Sequence, residues 1–234
     1  MKRLSGKTAL VTGSSRGVGQ LVAEAMAREG ARVLVHGRTL AACEATLARV
    51  RAAGGEGKAY AGELLVPEQV DALAQAVLAD FGGVDVLYNN AAVMSVWTES
   101  VQAQDMADWS RVFQINVNAP VRLTTLLLPA MKARGWGRVV NVTSGIDKTW
   151  QLAAYGASKW ALDKWTDDLG AHLSGSGILV SRLDPGWLRT DLGGPNADNA
   201  PETVLPGAMV PVLLPDDAPQ AQFFRAQELR TASV

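Results

Sequence analysis

Residues 8–19 read Thr8-Ala9-Leu10-Val11-Thr12-Gly13-Ser14-Ser15-Arg16-Gly17-Val18-Gly19. The first five form a short, mainly apolar run typical of a buried strand, and the apolar spacing that follows, up to Gly30, predicts a helix. A glycine-rich turn between a strand and a helix lets the backbone approach a phosphate, and the helix N-terminus offers unpaired N–H groups there. We interpret this stretch as a dinucleotide-binding loop, although a tight strand–helix connection alone would also use these glycines.

The same alternation of strands and helices continues along the chain. Further strands are predicted over residues 32–36, 57–61, 84–88, 138–144 and 178–183 and around Phe223-Phe224. Helical patterns include residues 155–172 and a long stretch, 105–132, in which a kink is expected near Asn116 and Pro120. Such alternation predicts an α/β fold, a doubly wound parallel sheet of about seven strands with helices on both faces. We expect one Rossmann-type domain over residues 1–234.

Composition and charge narrow the class of protein. The 22 basic and 23 acidic residues give a formal charge of −1, so we expect neither nucleic-acid binding nor attraction to acidic membranes. No apolar run approaches the length of a membrane span, and the start lacks the apolar core of a signal peptide. The single Cys43 excludes an intramolecular disulfide, and His36 and His172 are too isolated to indicate a metal site. We expect a cytoplasmic protein.

Tyr155 and Lys159 are candidate catalytic residues. On a helix, residues four apart share one face, so the phenol and the ammonium can project together. A fixed cation beside a phenol favours the phenolate, which predicts that Tyr155 acts as a general acid and base. A lysine four residues after a tyrosine also occurs often by chance, so the neighbouring motifs decide whether the pair is catalytic.

In a parallel α/β sheet, ligands collect outside the carboxyl ends of the strands. Gly13, Asn90, Ser144 and the Pro185-Gly186 pair all fall at such ends, so they are predicted to converge on one cleft. Ser144 can then hold a substrate carbonyl while the tyrosine delivers the proton. The serine can instead simply cap a turn, and the lack of a suitable histidine argues against a hydrolase nucleophile.

The end of the second strand bears on cofactor choice. An acidic residue there binds a ribose 2′-hydroxyl, whereas an arginine suits a 2′-phosphate. This strand ends at Gly37-Arg38, and Arg16 lies in the first loop. The two cations favour NADP(H), unless both merely face solvent.

These motifs, in this order, resemble the short-chain dehydrogenase/reductase family over nearly the whole chain. Residues 12–19 are similar to the family's cofactor loop, Asn89-Asn90-Ala91 to its fourth-strand motif, and Tyr155-x3-Lys159 to its catalytic pair. Residues 185–190 resemble the segment that closes on the nicotinamide, and the tail resembles the carbonyl-reductase branch. The chain departs from the family at Ala92, where glycine is usual, and at Glu63, where aspartate is expected.

The resemblance implies roles for named residues. It implies a catalytic tetrad of Asn116, Ser144, Tyr155 and Lys159. It also implies a cofactor site of Gly13, Ser15, Arg16, Gly17, Val18, Gly19, Arg38, Glu63, Leu64, Asn90, Tyr155, Lys159, Pro185, Gly186 and Thr190. A homodimer or homotetramer through the 105–132 and 155–172 helices is implied as well.

The substrate side is expected to be apolar. Met94, Trp97, Ile146, Trp150, Trp187 and Leu192 are the predicted pocket residues, although each tryptophan can equally pack in the core. We therefore expect an NADPH-dependent reductase of a ketone or aldehyde carbonyl on an apolar or aromatic substrate. An alcohol dehydrogenase, an imine reductase and a non-catalytic NADP-binding regulatory protein remain as alternatives.

Overall fold

A seven-stranded parallel sheet forms the centre of the computed structural model, which describes residues 2–233. The strands are β1 (Thr8–Val11), β2 (Arg32–Gly37), β3 (Gly57–Ala61), β4 (Val86–Asn89), β5 (Gly137–Val142), β6 (Ile178–Asp184) and β7 (Gln222–Arg225). Their order is β3-β2-β1-β4-β5-β6-β7, and every neighbouring pair is parallel. The predicted doubly wound sheet is confirmed, and the reversal of strand order between β1 and β4 opens a crevice for a ligand.

Within residues 2–233, six α-helices flank the sheet. They are α1 (Gly17–Arg28), α2 (Leu40–Ala52), α3 (Pro67–Phe81), α4 (Met106–Phe113), α5 (Ala119–Arg134) and α6 (Ala153–His172). Apolar side chains of α1 and α2 pack on one face of the sheet, and those of α3 and α5 pack on the other. Because both faces are covered, β1, β4 and β5 are buried along their whole length. None of the helices in residues 2–233 is long and apolar enough to cross a membrane.

The predicted 105–132 helix is interrupted. Residues 114–118 form one wider turn of the π type, and α5 starts only after it. Pro120 lies in the first turn of α5, which continues directly from this π turn, and it has no N–H to donate to a carbonyl of that turn. The interruption therefore lies just before the proline and contains Asn116, and such π turns often mark functional positions.

The connection from β6 to β7 departs from the usual crossover. Residues 185–221, all of them described, contain two short 3₁₀ turns, Pro201–Val204 and Gly207–Val212, where a Rossmann crossover normally has a long helix. Ala208, Met209 and Val212 are buried on the same sheet face as α1, and the Tyr88 hydroxyl donates a 3.0 Å hydrogen bond to the Ala208 carbonyl. The compact turns thus complete one face of the core and leave residues 187–200 at the carboxyl edge.

Candidate active site

A cleft of about 740 Å³ opens at the carboxyl edge of the sheet. Most of the predicted cofactor residues and two of the predicted substrate residues line it. The predicted residues on its wall are Gly13, Arg16, Gly17, Val18, Asn90, Met94, Tyr155, Lys159, Pro185, Thr190 and Leu192. Residues far apart in the sequence therefore meet in one cavity, as the parallel topology requires.

The glycine-rich loop forms one wall of this cleft. Gly13 has φ +61°, and a Cβ there would lie 2.8 Å from the Ala91 Cα. At Gly19 a Cβ would approach the Asn90 amide nitrogen to 2.5 Å. Arg16 provides no side-chain cap to α1, and the first turn contains no acidic residue, so its N–H groups are available to an anion. The loop thus fits the diphosphate of a dinucleotide.

Thr12 and Asn90 fasten this loop to the end of β4. The Thr12 hydroxyl accepts hydrogen bonds from the backbone N–H groups of Asn90 and Ala91 at 3.0 and 3.1 Å. In return the Asn90 amide donates to the carbonyls of Thr12 at 2.9 Å and Gly13 at 3.2 Å. Asn90 therefore holds the loop backbone as well as lining the cleft. Sequence reasoning missed the role of Thr12, although its place directly after β1 gave the signal.

Tyr155 and Lys159 lie side by side in the first turns of α6. The Lys159 ammonium nitrogen is 5.6 Å from the centre of the Tyr155 ring and donates a 2.8 Å hydrogen bond to the Val142 carbonyl at the end of β5. Tyr155 is 7% exposed and Lys159 is 2% exposed. Both polar groups are therefore removed from bulk water, while their side chains still line the cleft.

Burial changes the proton affinities of both groups. Desolvation raises the pKa of Tyr155 to about 12, opposed by a hydrogen bond from Ser144 and reinforced by the charge of Asp184. Desolvation also lowers the pKa of Lys159 to about 8, opposed by the charge of Asp163. Burial thus raises the pKa of the phenol in the free protein, and a lowering of that pKa by the neighbouring lysine stays a prediction. Tyr155 consequently keeps its proton at neutral pH.

Ser144 and Asp184 face the phenol from the ends of β5 and β6. Ser144 lies two residues beyond β5, and its hydroxyl accepts a 3.2 Å hydrogen bond from the Ile146 N–H while also acting on the phenol pKa. The Asp184 carboxylate accepts a 2.8 Å bond from the Gly186 N–H. Asp184 is a site residue that the sequence analysis missed, and its position directly before Pro185-Gly186 was the available signal.

Asn116 is buried in the π turn, and its amide groups have partners within the protein. Its Oδ1 accepts from the Val93 N–H at 2.9 Å, and its Nδ2 donates to the Val93 carbonyl and to the Ser158 hydroxyl, both at 3.0 Å. The Ser158 hydroxyl in turn donates to the Tyr155 carbonyl at 2.7 Å. Asn116 thus ties the segment after β4 to the catalytic helix, while its part in a proton route stays a prediction.

Some predicted cofactor residues lie away from the wall of the cleft. Arg38 is exposed, directly after β2. Glu63 caps its own turn by accepting from the Leu65 N–H, and the Leu64 side chain is buried in the core beside α3. Ser15, Gly19 and Gly186 support the loops by packing: an added Cβ at Gly186, for instance, would lie 2.6 Å from Gln227.

The segment after β6 lies against the glycine-rich loop. Arg16 and Asp191 form an ion pair of 2.8 Å across the cleft mouth, with both side chains about two-thirds exposed. A Cβ at Gly17 would be 3.6 Å from the Thr190 methyl group, so the two walls nearly touch there. An exposed pair of this kind contributes little stability, typically under about 1 kcal/mol, so it opens readily.

The predicted aromatic wall is absent from the cleft. Trp97 and Trp187 are 54% and 52% exposed. Their indole N–H groups are held at the surface, by Glu99 at 2.6 Å and by the Gly193 carbonyl at 2.8 Å respectively. Ile146 and Trp150 line a separate shallow pocket beside α6. Of the predicted substrate residues only Met94 and Leu192 border the cleft. The sequence does not distinguish a tryptophan that lines a pocket from one whose indole N–H is bonded at the surface.

A doubly wound sheet with a glycine-rich loop where the strand order reverses is typical of a dinucleotide-binding protein. The family model of the short chain dehydrogenases matches residues 7–200. The chain belongs to this family, as the sequence resemblance indicated.

Three similar proteins illustrate the range within the family. Ketoacyl reductase HetN of Nostoc sp. is 37% identical over 190 residues, which is 80% of this chain and 66% of HetN. A metagenomic short-chain oxidoreductase in complex with NADP superposes with a TM-score of 0.83 at 30% identity, covering 95% of this chain and 98% of the other. NAD⁺-bound xylitol dehydrogenase gives a TM-score of 0.75 at 31% identity, covering 80% and 72%. This chain therefore spans about two-thirds of HetN.

The bonds of Asn116 generate a stability prediction. Asn116→Ala leaves both backbone groups of Val93 and the Ser158 hydroxyl without their partner, so we expect the free energy of unfolding to fall by about 2–3 kcal/mol. The matched control is Asn118→Ala in the same π turn, an exposed side chain that donates only to Gln114, with an expected change within about 0.5 kcal/mol. Urea unfolding measures both. Equal losses in the two variants would contradict the assignment.

Proposed function

We propose that this protein is an NADPH-dependent carbonyl reductase, or ketoreductase, that converts a ketone or aldehyde to an alcohol. The observation that carries the proposal is the buried Tyr155–Lys159 pair on the cleft wall opposite the glycine-rich loop. A protonated phenol supplies what a carbonyl oxygen needs when its carbon is reduced. The similarity to the ketoacyl reductase HetN supports a carbonyl substrate.

The reaction needs a hydride at the carbonyl carbon and a proton at the carbonyl oxygen. A bound reduced nicotinamide supplies the hydride together with its electron pair. In our proposal Tyr155 donates its hydroxyl proton to the oxygen as the C=O double bond becomes a single bond. The Ser144 hydroxyl donates a hydrogen bond to the same oxygen and holds it in place. Lys159 stabilises the phenolate that remains.

The preference for NADP(H) rests on charge at the adenosine end. Strand β2 ends at a buried Gly37 and is followed by Arg38, so no carboxylate stands there to accept a ribose hydroxyl. Within residues 2–233 the Arg38 guanidinium has neither an ion-pair nor a hydrogen-bond partner. An exposed arginine without a competing carboxylate suits a 2′-phosphate. Solved relatives bind NADP or NAD⁺, so this preference comes from the residues of this chain.

The proposed substrate has a mainly apolar body that can be aromatic. Val93, Met94 and Leu192 offer apolar contacts on the wall, whereas Arg111 and Glu202 add charge farther along it. The support for an apolar substrate is therefore these aliphatic side chains rather than the tryptophans. The homodimer or homotetramer implied by the resemblance stays a prediction.

Replacing Tyr155 tests the proposed chemistry. We expect purified protein to oxidise NADPH, followed by nicotinamide absorbance, in the presence of at least one aryl ketone or aldehyde. Tyr155→Phe removes the proton donor and should lower kcat by roughly 100- to 10,000-fold while NADPH binding persists. Tyr60→Phe is the matched control, since this hydroxyl in β3 bonds only to Asp80, and it should keep full activity.

The alternative functions predict other outcomes of the same assay. Turnover of imines alone would identify an imine reductase, and turnover of alcohols with NADP⁺ alone would identify a dehydrogenase. Tight nucleotide binding without any turnover would favour the regulatory protein. Equal activity of the wild type and Tyr155→Phe would contradict the catalytic role of the phenol.

A charge reversal tests the cofactor preference. Arg38→Asp removes the proposed phosphate partner, so we expect the Kd of NADPH to rise by roughly 10- to 100-fold and that of NADH to change by less than about threefold. Arg51→Asp makes the same charge change at the other end of α2 and serves as the control. Fluorescence titration gives both constants. Equal weakening of NADPH and NADH would remove the 2′-phosphate assignment.

A further inference from the structure

His36 is a buried histidine at the end of β2 that the chemistry described so far does not use. Its side chain lies between the glycine-rich loop and the loop after β3, and the residue is 2% exposed. Nδ1 is 3.2 Å from the Gly13 nitrogen, and Nε2 is 3.1 Å from the Gly62 carbonyl oxygen. Each ring nitrogen therefore meets the backbone of a different loop.

These two partners fix the state of the ring. The Gly13 N–H can only donate, so Nδ1 must accept; the Gly62 carbonyl can only accept, so Nε2 must carry the hydrogen. Desolvation lowers the pKa of His36 to about 4, opposed by the Gly62 hydrogen bond and the charge of Glu63. The neutral tautomer with its hydrogen on Nε2 is thus the form that the two loops select.

The backbone of His36 adds a third link to the same loop. Its N–H donates to the Ser14 hydroxyl at 3.1 Å, and that hydroxyl donates to the Val11 carbonyl at 2.7 Å. The Ser14 N–H in turn donates to the His36 carbonyl at 2.9 Å. One residue of β2 therefore holds two consecutive N–H groups of the glycine-rich loop, those of Gly13 and Ser14.

The N–H of Gly13 matters because the loop turns at this residue. With φ +61°, Gly13 sends the chain away from β1 towards the N-terminus of α1. An acceptor on the Gly13 N–H fixes the peptide plane that enters this turn and so the direction of the groups that follow. The Gly62 contact joins the same ring to the loop on the adenosine side of β2.

We propose that His36 is a positioning residue for the dinucleotide. Its Nδ1 lone pair accepts the Gly13 N–H and so fixes the direction in which the glycine-rich loop leaves β1. The inference rests on the proposed nucleotide binding. His36 does not contact the reacting atoms, so its loss changes cofactor affinity and leaves the chemical step at saturating cofactor nearly unchanged.

Two amide variants separate the two ring contacts. In asparagine the amide branches where Nδ1 lies, so His36→Asn can still accept from Gly13 but cannot reach Gly62. In glutamine the amide lies where Nε2 does, so His36→Gln can still donate to Gly62 but leaves the Gly13 N–H without an acceptor. The pair is matched in polarity, and each member loses one of the two hydrogen bonds.

We expect His36→Gln to raise the Kd of NADPH about tenfold, the effect of one lost buried hydrogen bond, and to change kcat at saturating NADPH by less than about twofold. His36→Asn should stay within about threefold of the wild-type Kd. Urea midpoints of both variants report the purely structural cost. Equal Kd values in the two variants, or a larger loss in His36→Asn, would overturn the proposal.

The wild-type protein gives an independent readout if a variant fails to fold. In ¹⁵N-histidine-labelled protein, the His36 Nδ1 signal should have the shift of an unprotonated ring nitrogen at neutral pH and should move on addition of NADPH. A protonated Nδ1, or a signal that NADPH leaves unchanged, would refute the role. A wild type that binds neither NADPH nor NADH would instead refute the proposed function as a whole.

Discussion

The removal of Tyr155 and Lys159 from water is the constraint on which the site depends. In water, a phenol and a lysine ammonium titrate within about half a unit of each other, near 10. Here desolvation moves their pKa values apart, to about 12 for the tyrosine and about 8 for the lysine. The phenol therefore stays protonated while the ammonium lies near its titration point. This order of pKa values suits a protein whose tyrosine must donate a proton, since Tyr155 is already protonated before the substrate binds.

The parallel sheet makes this burial possible. Lys159 reaches the last carbonyl of β5, at Val142, and the π turn places Asn116 where its amide joins the segment after β4 to Ser158 on α6. The carboxyl ends of neighbouring parallel strands lie at one edge of the sheet, so these polar contacts lie close together. A shift of α6 along β5 would therefore break the hydrogen bond from Lys159 to the Val142 carbonyl and would also expose the Tyr155 phenol.

The sequence predicted the sheet because strand-like and helical patterns alternate from β1 to β6, with glycines in most of the turns between them. It also indicated which residues converge, since Gly13, Asn90, Ser144 and Pro185 all follow strand ends. It could not predict the direction of the Tyr155 pKa, which depends on how much water burial removes. The sequence also could not predict that the tryptophans lie at the surface. Trp187, for example, donates a hydrogen bond to the Gly193 carbonyl in a segment without regular structure. His36 was missed because its partners are backbone groups of two loops distant in the sequence. Asp184 was missed because the sequence does not show that its charge acts on Tyr155.

In the free protein the proton affinities of Tyr155 and Lys159 are in the reverse of their order in water. Carbon-13 NMR of protein labelled at lysine Cε and tyrosine Cζ measures both groups directly across a pH titration, with Lys159→Met and Tyr155→Phe assigning the signals. We predict that Lys159 titrates near 8, well below the usual lysine pKa of about 10.4, and that Tyr155 is still protonated past the usual tyrosine pKa of about 10. A Tyr155 that ionises before Lys159 loses its proton would contradict this prediction.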